Sequence, residues 1–212
     1  AVEYTHNAYA VIGNGGALID TPANGNIMVT AGHDLLMVGM RRPTQIGNDP
    51  ASTRPDGPVD NIAQIGNFTT EYRNLSGTND VNDGNHKGDI TVVVGNNLTM
   101  VGGTTSDPVG QPNHLAYTQI GHGGAGVNGT NDGDITVFVK NDLVTIDGST
   151  GGTDTLNNYV MIGHGDWLRD GSDDRTARIS GVGARTGDIQ VAVGDNASLF
   201  HTLVGHADPL VQ

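Results

Sequence analysis

Three histidines recur at one position of a repeated tripeptide: Ile120-Gly121-His122, Ile162-Gly163-His164 and Val204-Gly205-His206. If these tripeptides stack on one another, the imidazoles come close enough to share a divalent metal, since imidazole suits several such ions. The same position carries asparagine in Ile12-Gly13-Asn14 and Ile65-Gly66-Asn67. That exchange favours a different role, in which the side chain bonds to the backbone of a turn. Asp89, Asp134 and Asp188, with Asn26, form a second recurring set. Stacked carboxylates repel unless a cation neutralises them, and calcium takes carboxylate and carbonyl oxygens. Against calcium stands the common use of Asp beside Gly, an Asx turn that accepts backbone N–H groups. No cofactor is therefore expected; the alternative is a bound metal, calcium at Asp89, Asp134 and Asp188 or a divalent ion shared by His122, His164 and His206. No other cofactor is implied.

Catalysis finds less support. The acids and bases that converge best in the sequence are Asp166, Arg169, Asp173, Asp174 and Arg175, beside Trp167, the single tryptophan. Such a cluster could serve acid–base chemistry on a sugar, with the indole stacked on the ring. A loop held by ion pairs explains the same residues. No Gly-x-Ser-x-Gly, phosphate-binding loop or zinc signature is present, so the chain is not expected to be an enzyme.

Three strand-like motifs supply the positions of these residues. Strand A leads into the apolar–Gly–(Asn/His) tripeptide, as in Tyr117-Thr118-Gln119-Ile120-Gly121-His122. Strand B reads Gly25-Asn26-Ile27-Met28-Val29, Gly88-Asp89-Ile90-Thr91-Val92, Gly133-Asp134-Ile135-Thr136-Val137 and Gly187-Asp188-Ile189-Gln190-Val191. Its apolar–polar alternation is the period of a strand. Strand C reads Leu35-Leu36-Met37-Val38, Leu98-Thr99-Met100-Val101, Leu143-Val144-Thr145-Ile146 and Ala197-Ser198-Leu199-Phe200.

The order A–B–C recurs four times, and a last A follows. The step from the Asx of B to the Asx opening C is eight residues every time, whereas the A-to-B step is 12, 22, 12 and 24 residues. In a meander every turn sets register and none is privileged. One constant corner with two elastic ones predicts a solenoid of stacked coils. The fold class is thus all-β, a right-handed parallel β-helix of four to five three-stranded coils with variable corner loops, the hand following from parallel crossovers. It forms one domain, 1–212, with repeats at roughly 9–60, 61–114, 115–158 and 159–200 and a partial coil at 201–212. The predicted core ladders are Ile12, Ile65, Ile120, Ile162 and Val204; Ile27, Ile90, Ile135 and Ile189; and Leu35, Leu98 and Leu143, with Ala197. An additional Ile46-Gly47-Asn48 has no B or C motif before the next A.

Composition sets limits. A net charge of −13 with ten basic residues excludes a basic groove for nucleic acid. No apolar stretch approaches the length of a membrane span. Cysteine is absent, so disulfides play no part, and a large core makes them unnecessary even in a secreted chain. A start at Ala1-Val2-Glu3 reads as a processed chain or a fragment.

The run Tyr117-Thr118-Gln119-Ile120-Gly121-His122-Gly123-Gly124, followed by Gly133-Asp134-Ile135-Thr136-Val137, resembles repeats of the filamentous-haemagglutinin-like large exoproteins of bacteria. The resemblance spans about Tyr9 to His206. It implies a right-handed β-helical passenger, secreted and displayed on the cell surface or released. A structural or adhesive role is expected, with end-to-end self-association because neither end carries a polar capping segment, and with surface glycans or other cells as further partners. The alternatives are a carbohydrate-active β-helix enzyme and a calcium-dependent carbohydrate-binding module.

Overall fold

A computed structural model describes residues 8–17, 22–39, 61–70, 85–103, 117–123, 129–146, 159–165, 184–200 and 202–206. Among them are strands and turns and no helix. Ile46-Gly47-Asn48 and the acidic and basic residues between 166 and 175 lie outside the described residues.

The A strands are β1 (Ala8–Ile12), β6 (Asn61–Ile65), β11 (Thr118–Ile120), β15 (Val160–Ile162) and β19 (Thr202–Val204). They make one five-stranded sheet in that order. The B strands, β4 (Ile27–Ala31), β9 (Ile90–Val94), β13 (Ile135–Val139) and β17 (Ile189–Val193), make a second sheet, and the C strands, β5 (Leu35–Val38), β10 (Leu98–Val101), β14 (Leu143–Ile146) and β18 (Ala197–Phe200), a third. Every pairing is parallel, and each strand lies beside its counterpart one repeat away.

The register is the one that the motifs predict. Ile12, Ile65, Ile120, Ile162 and Val204 align across the A sheet. Ile27, Ile90, Ile135 and Ile189 align across the B sheet. Leu35, Leu98, Leu143 and Ala197 align across the C sheet. Alternation puts one stripe of each sheet inward, and β-branched residues fit that pleated surface. In β9 and β13, residues one, three and five of the strand are buried. Ile65, Ile90, Leu98, Ile120, Ile135, Leu143 and Ile162 share one apolar core. The outermost ladder members are less covered: Ile12 is 49% exposed and Val204 43%, because nothing described stacks beyond them.

Two features depart from three strands per repeat. A two-residue strand precedes each B strand: β3 (Ala23–Asn24), β8 (His86–Lys87), β12 (Asn131–Asp132) and β16 (Arg185–Thr186). These four form their own parallel sheet, held by backbone bonds such as Gly25 N–H to the Lys87 carbonyl at 2.8 Å. In the first two repeats a further pair, β2 (Gly15–Ala17) with β7 (Phe68–Thr70), follows the A strand. Neither shows an apolar alternation, because two or three residues are too few to display a period.

The A sheet is also buried on both faces. Ala63 and Ile65 face the main core, while Ile62, Phe68, Tyr117, Tyr159 and Met161 make a second apolar cluster with Val11 and Leu203 at its margin. Tyr117 and Tyr159 stack at 4.7 Å between ring centroids, with planes 6° apart.

The glycine before each B strand sets how closely repeats approach. Gly133 has φ +146°, and a Cβ there would lie 1.9 Å from the carbonyl oxygen of Gly88. Both the backbone conformation and the contact demand glycine.

Candidate functional site

The most chemically distinctive feature is the corner where the A strands end. Asn14, Asn67, His122, His164 and His206 occupy it in successive repeats. From Asn67 onward, each side chain accepts a backbone N–H from the repeat before it. The Asn14 N–H reaches Asn67 Oδ1 at 3.2 Å, the Asn67 N–H reaches His122 Nδ1 at 2.9 Å, the His122 N–H reaches His164 Nδ1 at 2.9 Å, and the His164 N–H reaches His206 Nδ1 at 3.2 Å. The far side of each side chain donates to a carbonyl beside a B strand. Asn67 Nδ2 bonds the Gly25 and Lys87 carbonyls, His122 Nε2 that of Gly88, His164 Nε2 that of Gly133 at 2.8 Å, and His206 Nε2 that of Gly187 at 2.9 Å. Asn and His exchange here because both offer an acceptor and a donor pointing opposite ways.

This geometry fixes the histidines as neutral, with the proton on Nε2. The imidazole planes stack at 4.7 Å from His122 to His164 and 4.9 Å from His164 to His206. Burial lowers the His122 pKa and takes that of His164 down to about 3, the hydrogen bond to the Gly133 carbonyl acting the other way. His86, buried beside this ladder, is lowered to about 4, by burial first and then by the neighbouring His122. Both ring nitrogens of His122, His164 and His206 are engaged by the backbone, so none has a lone pair for a metal. Among the described residues no group of three or more His, Asp or Glu is arranged to hold a metal ion.

The acidic ladder is an Asx ladder of opposite sense. Asn26 Oδ1 accepts the Asp89 N–H at 2.9 Å, Asp89 Oδ1 the Asp134 N–H at 3.1 Å, and Asp134 Oδ1 the Asp188 N–H at 2.8 Å. These side chains are exposed, which lets water screen their mutual repulsion. Eight residues on, Asp34, Asn97, Asp142 and Asn196 repeat the arrangement, the first three each accepting the next N–H at 3.1 to 3.2 Å. The Asn97 N–H is the leading cause that holds Asp34 below the usual carboxylate value.

A further ladder is not apparent from residue types alone. Gln64 and Gln119 occupy one register position on the outer face of the A sheet and are buried. Gln64 Nε2 donates to the carbonyls of Gly121 and Gly123, each at 2.9 Å, and Gln119 Nε2 does the same to Gly163 and Gly165. Each glutamine thus clamps the turn of the following repeat. A glutamine two residues before the tripeptide glycine in two repeats was the available signal, but strand alternation makes it look like a solvent-facing position.

All four ladders join backbone to backbone across repeats. They position no nucleophile, general base or open coordination position. No protein-family model matches the chain, no curated protein matches it, and no solved structure matches it.

Proposed function

We propose that the chain is a right-handed parallel β-helix with a structural or adhesive role outside the cell, assembling end to end. The observation that carries this reading is the invariance of the stack. The apolar ladders, the Asn/His ladder and the Asx ladders run through every repeat, and their chemistry is directed at the repeat above and below. Such an array supplies length and rigidity. The hand follows the general preference of parallel crossovers.

The outermost strands support association. The inward-facing Ile12 on β1 is 49% exposed and Val204 on β19 43%, whereas Ile65, Ile120 and Ile162 at the same register in the strands between them are buried. Strand edges of this kind template further pairing, and a contact between unlike ends builds an open filament. The resemblance to filamentous-haemagglutinin-like exoproteins agrees with display at a cell surface, where glycans or other cells would be the partners.

Negative-stain electron microscopy of the purified 212-residue chain tests the proposal. Thin, uniform fibres are the expected result. Short discrete rods at all concentrations would overturn end-to-end assembly and would shift attention to a carbohydrate-directed role for the elastic corners.

A further inference from the structure

The outward faces of the three main sheets differ in what they offer. That of the A sheet is covered by the cluster of Ile62, Phe68, Tyr117, Tyr159 and Met161. That of the B sheet mixes residue types along its rows, as in Met28, Thr91, Thr136 and Gln190. The C sheet carries an unbroken apolar row: Val38, Val101, Ile146 and Phe200 align across β5, β10, β14 and β18. Val38 is 46% exposed, Ile146 44% and Phe200 60%. The row beside it, Leu36, Thr99, Val144 and Ser198, holds no charge either. In β10 and β14 the alternate positions are the buried ones, so the core does not account for either outward row.

A contiguous apolar row on a surface marks a place of interaction, and two of its properties select the partner. The chain has a net charge of −13, so copies repel over most of their surface. On this face two copies approach with no charged side chain from either. The row also repeats at the strand spacing, about 4.8 Å. A second identical row meets it in step at every level, which a surface of another period does not.

We propose that two copies of this chain pack side by side through the outward faces of their C sheets, related by a two-fold axis along the stack. That rotation reverses the strand direction. Asp34 and Asp142, at the corner that opens β5 and β14, then lie toward the other copy's far strand ends, where Gly39 and Gly102 follow β5 and β10. An axis along the strands would instead bring the acidic corners together. Four strands at about 4.8 Å and four residues at about 3.3 Å make a face of roughly 250 Å². A standard interface covers about 800 Å² per partner. One pair of copies therefore associates weakly, and the contact strengthens with every further length of stack that runs alongside. Side-by-side pairing goes beyond end-to-end assembly and does not require it.

The chain has no cysteine, so a single introduced thiol reports its own surroundings. Val101→Cys places one in the apolar row, and Thr136→Cys places one on the outward face of the B sheet. Both positions are half-buried and lie on strands flanked on either side. Far-UV circular dichroism verifies that each variant keeps its strand content. Treated with a short bismaleimide at the same high protein concentration, Val101→Cys should yield about ten times more cross-linked dimer than Thr136→Cys. Adding Ile146→Lys to Val101→Cys should remove the difference. Copies stacked end to end hold both positions equally far apart along the stack, so they add equally to the two yields. Equal yields, or a higher yield from Thr136→Cys, would overturn side-by-side pairing whether or not fibres form. An excess that survives Ile146→Lys would overturn it too, since the row would then not be the contact. An excess that Ile146→Lys removes, in the absence of fibres, would keep side-by-side pairing and overturn end-to-end assembly.

Discussion

The imidazole of His164 lies flat on that of His122 at 4.7 Å and accepts the His122 backbone N–H through Nδ1. One contact thus combines ring stacking with a backbone hydrogen bond, and both depend on an uncharged ring. A proton on Nδ1 would point at an N–H and would place a cation between two neighbouring imidazoles.

Acid should therefore destabilise the fold in a window set by these rings. The folded-state values of His164 and His86, about 3 and about 4, lie below the ordinary 6.5. A histidine held neutral contributes stability that is fully present above 6.5 and declines as pH falls toward the folded value, because the unfolded chain takes up the proton first. Asp89 and Asp132 partly oppose the shift at His122. Each such histidine should remove up to about 1.4 kcal/mol per pH unit. Urea unfolding at pH 8, 6, 5 and 4.5 checks this, above the range where Asp34 and Asp132, themselves lowered from 3.8, begin to protonate. A flat profile between 6.5 and 4.5 would contradict the neutral ladder.

Replacing His164 separates its hydrogen bonds from its ring. Asn67 performs the same double role at the equivalent corner. His164→Asn should therefore cost no more than about 1 kcal/mol and should reduce the acid sensitivity. His164→Ala leaves the His122 N–H and the Gly133 carbonyl without partners and should cost roughly 2–4 kcal/mol. Equal losses for the two variants would mean that ring packing, and not backbone capping, is the role of this position.

Much of this arrangement is legible in the sequence because each ladder repeats a residue type at a fixed register. The alignment of Ile27, Ile90, Ile135 and Ile189 follows from the Gly-Asx-Ile-x-Val motif alone, since a one-residue slip would turn every isoleucine outward. The exchange of Asn14 and Asn67 with His122 likewise points to capping before any coordinate is known. The short strand from His86 to Lys87 is not legible, because its pairing is carried by backbone bonds from residues of no common type: Ala23, His86, Asn131 and Arg185. Nor is the burial of Gln64 and Gln119. Alternation assigns them outward, and only the cluster of Ile62, Phe68 and Tyr117 over that face makes outward mean buried.

The acidic ladder yields a prediction that separates an Asx turn from a calcium site. Only an acceptor oxygen is needed at Asp134, and Asn26 supplies one at the same register. Asp134→Asn should leave stability unchanged within about 0.5 kcal/mol, or raise it slightly by relieving repulsion from Asp89 and Asp188. Calcium should produce no rise in melting temperature that the variant abolishes. A large calcium-dependent rise in the wild-type chain, absent in Asp134→Asn, would replace the turn reading with a bound ion.

The glycines test whether contact between repeats, and not turn flexibility, governs the stack. Gly133 has φ +146° and faces the Gly88 carbonyl oxygen, with 1.9 Å available to a Cβ; Gly32, at the turn between β4 and β5, would place its Cβ in open space. Gly133→Ala must push two repeats apart at the corner where Gly88, Asp89 and Asp134 interlock, in a backbone region that L-residues rarely enter. It should cost more than about 3 kcal/mol, since strain and separation of the ladders add. Gly32→Ala should be neutral or slightly stabilising, because it restricts only the unfolded chain. Thermal unfolding of the two variants beside the wild-type chain decides the matter. A mild Gly133→Ala would mean that the repeats can spread without loss, and the rigidity proposed for the stack would fail with it.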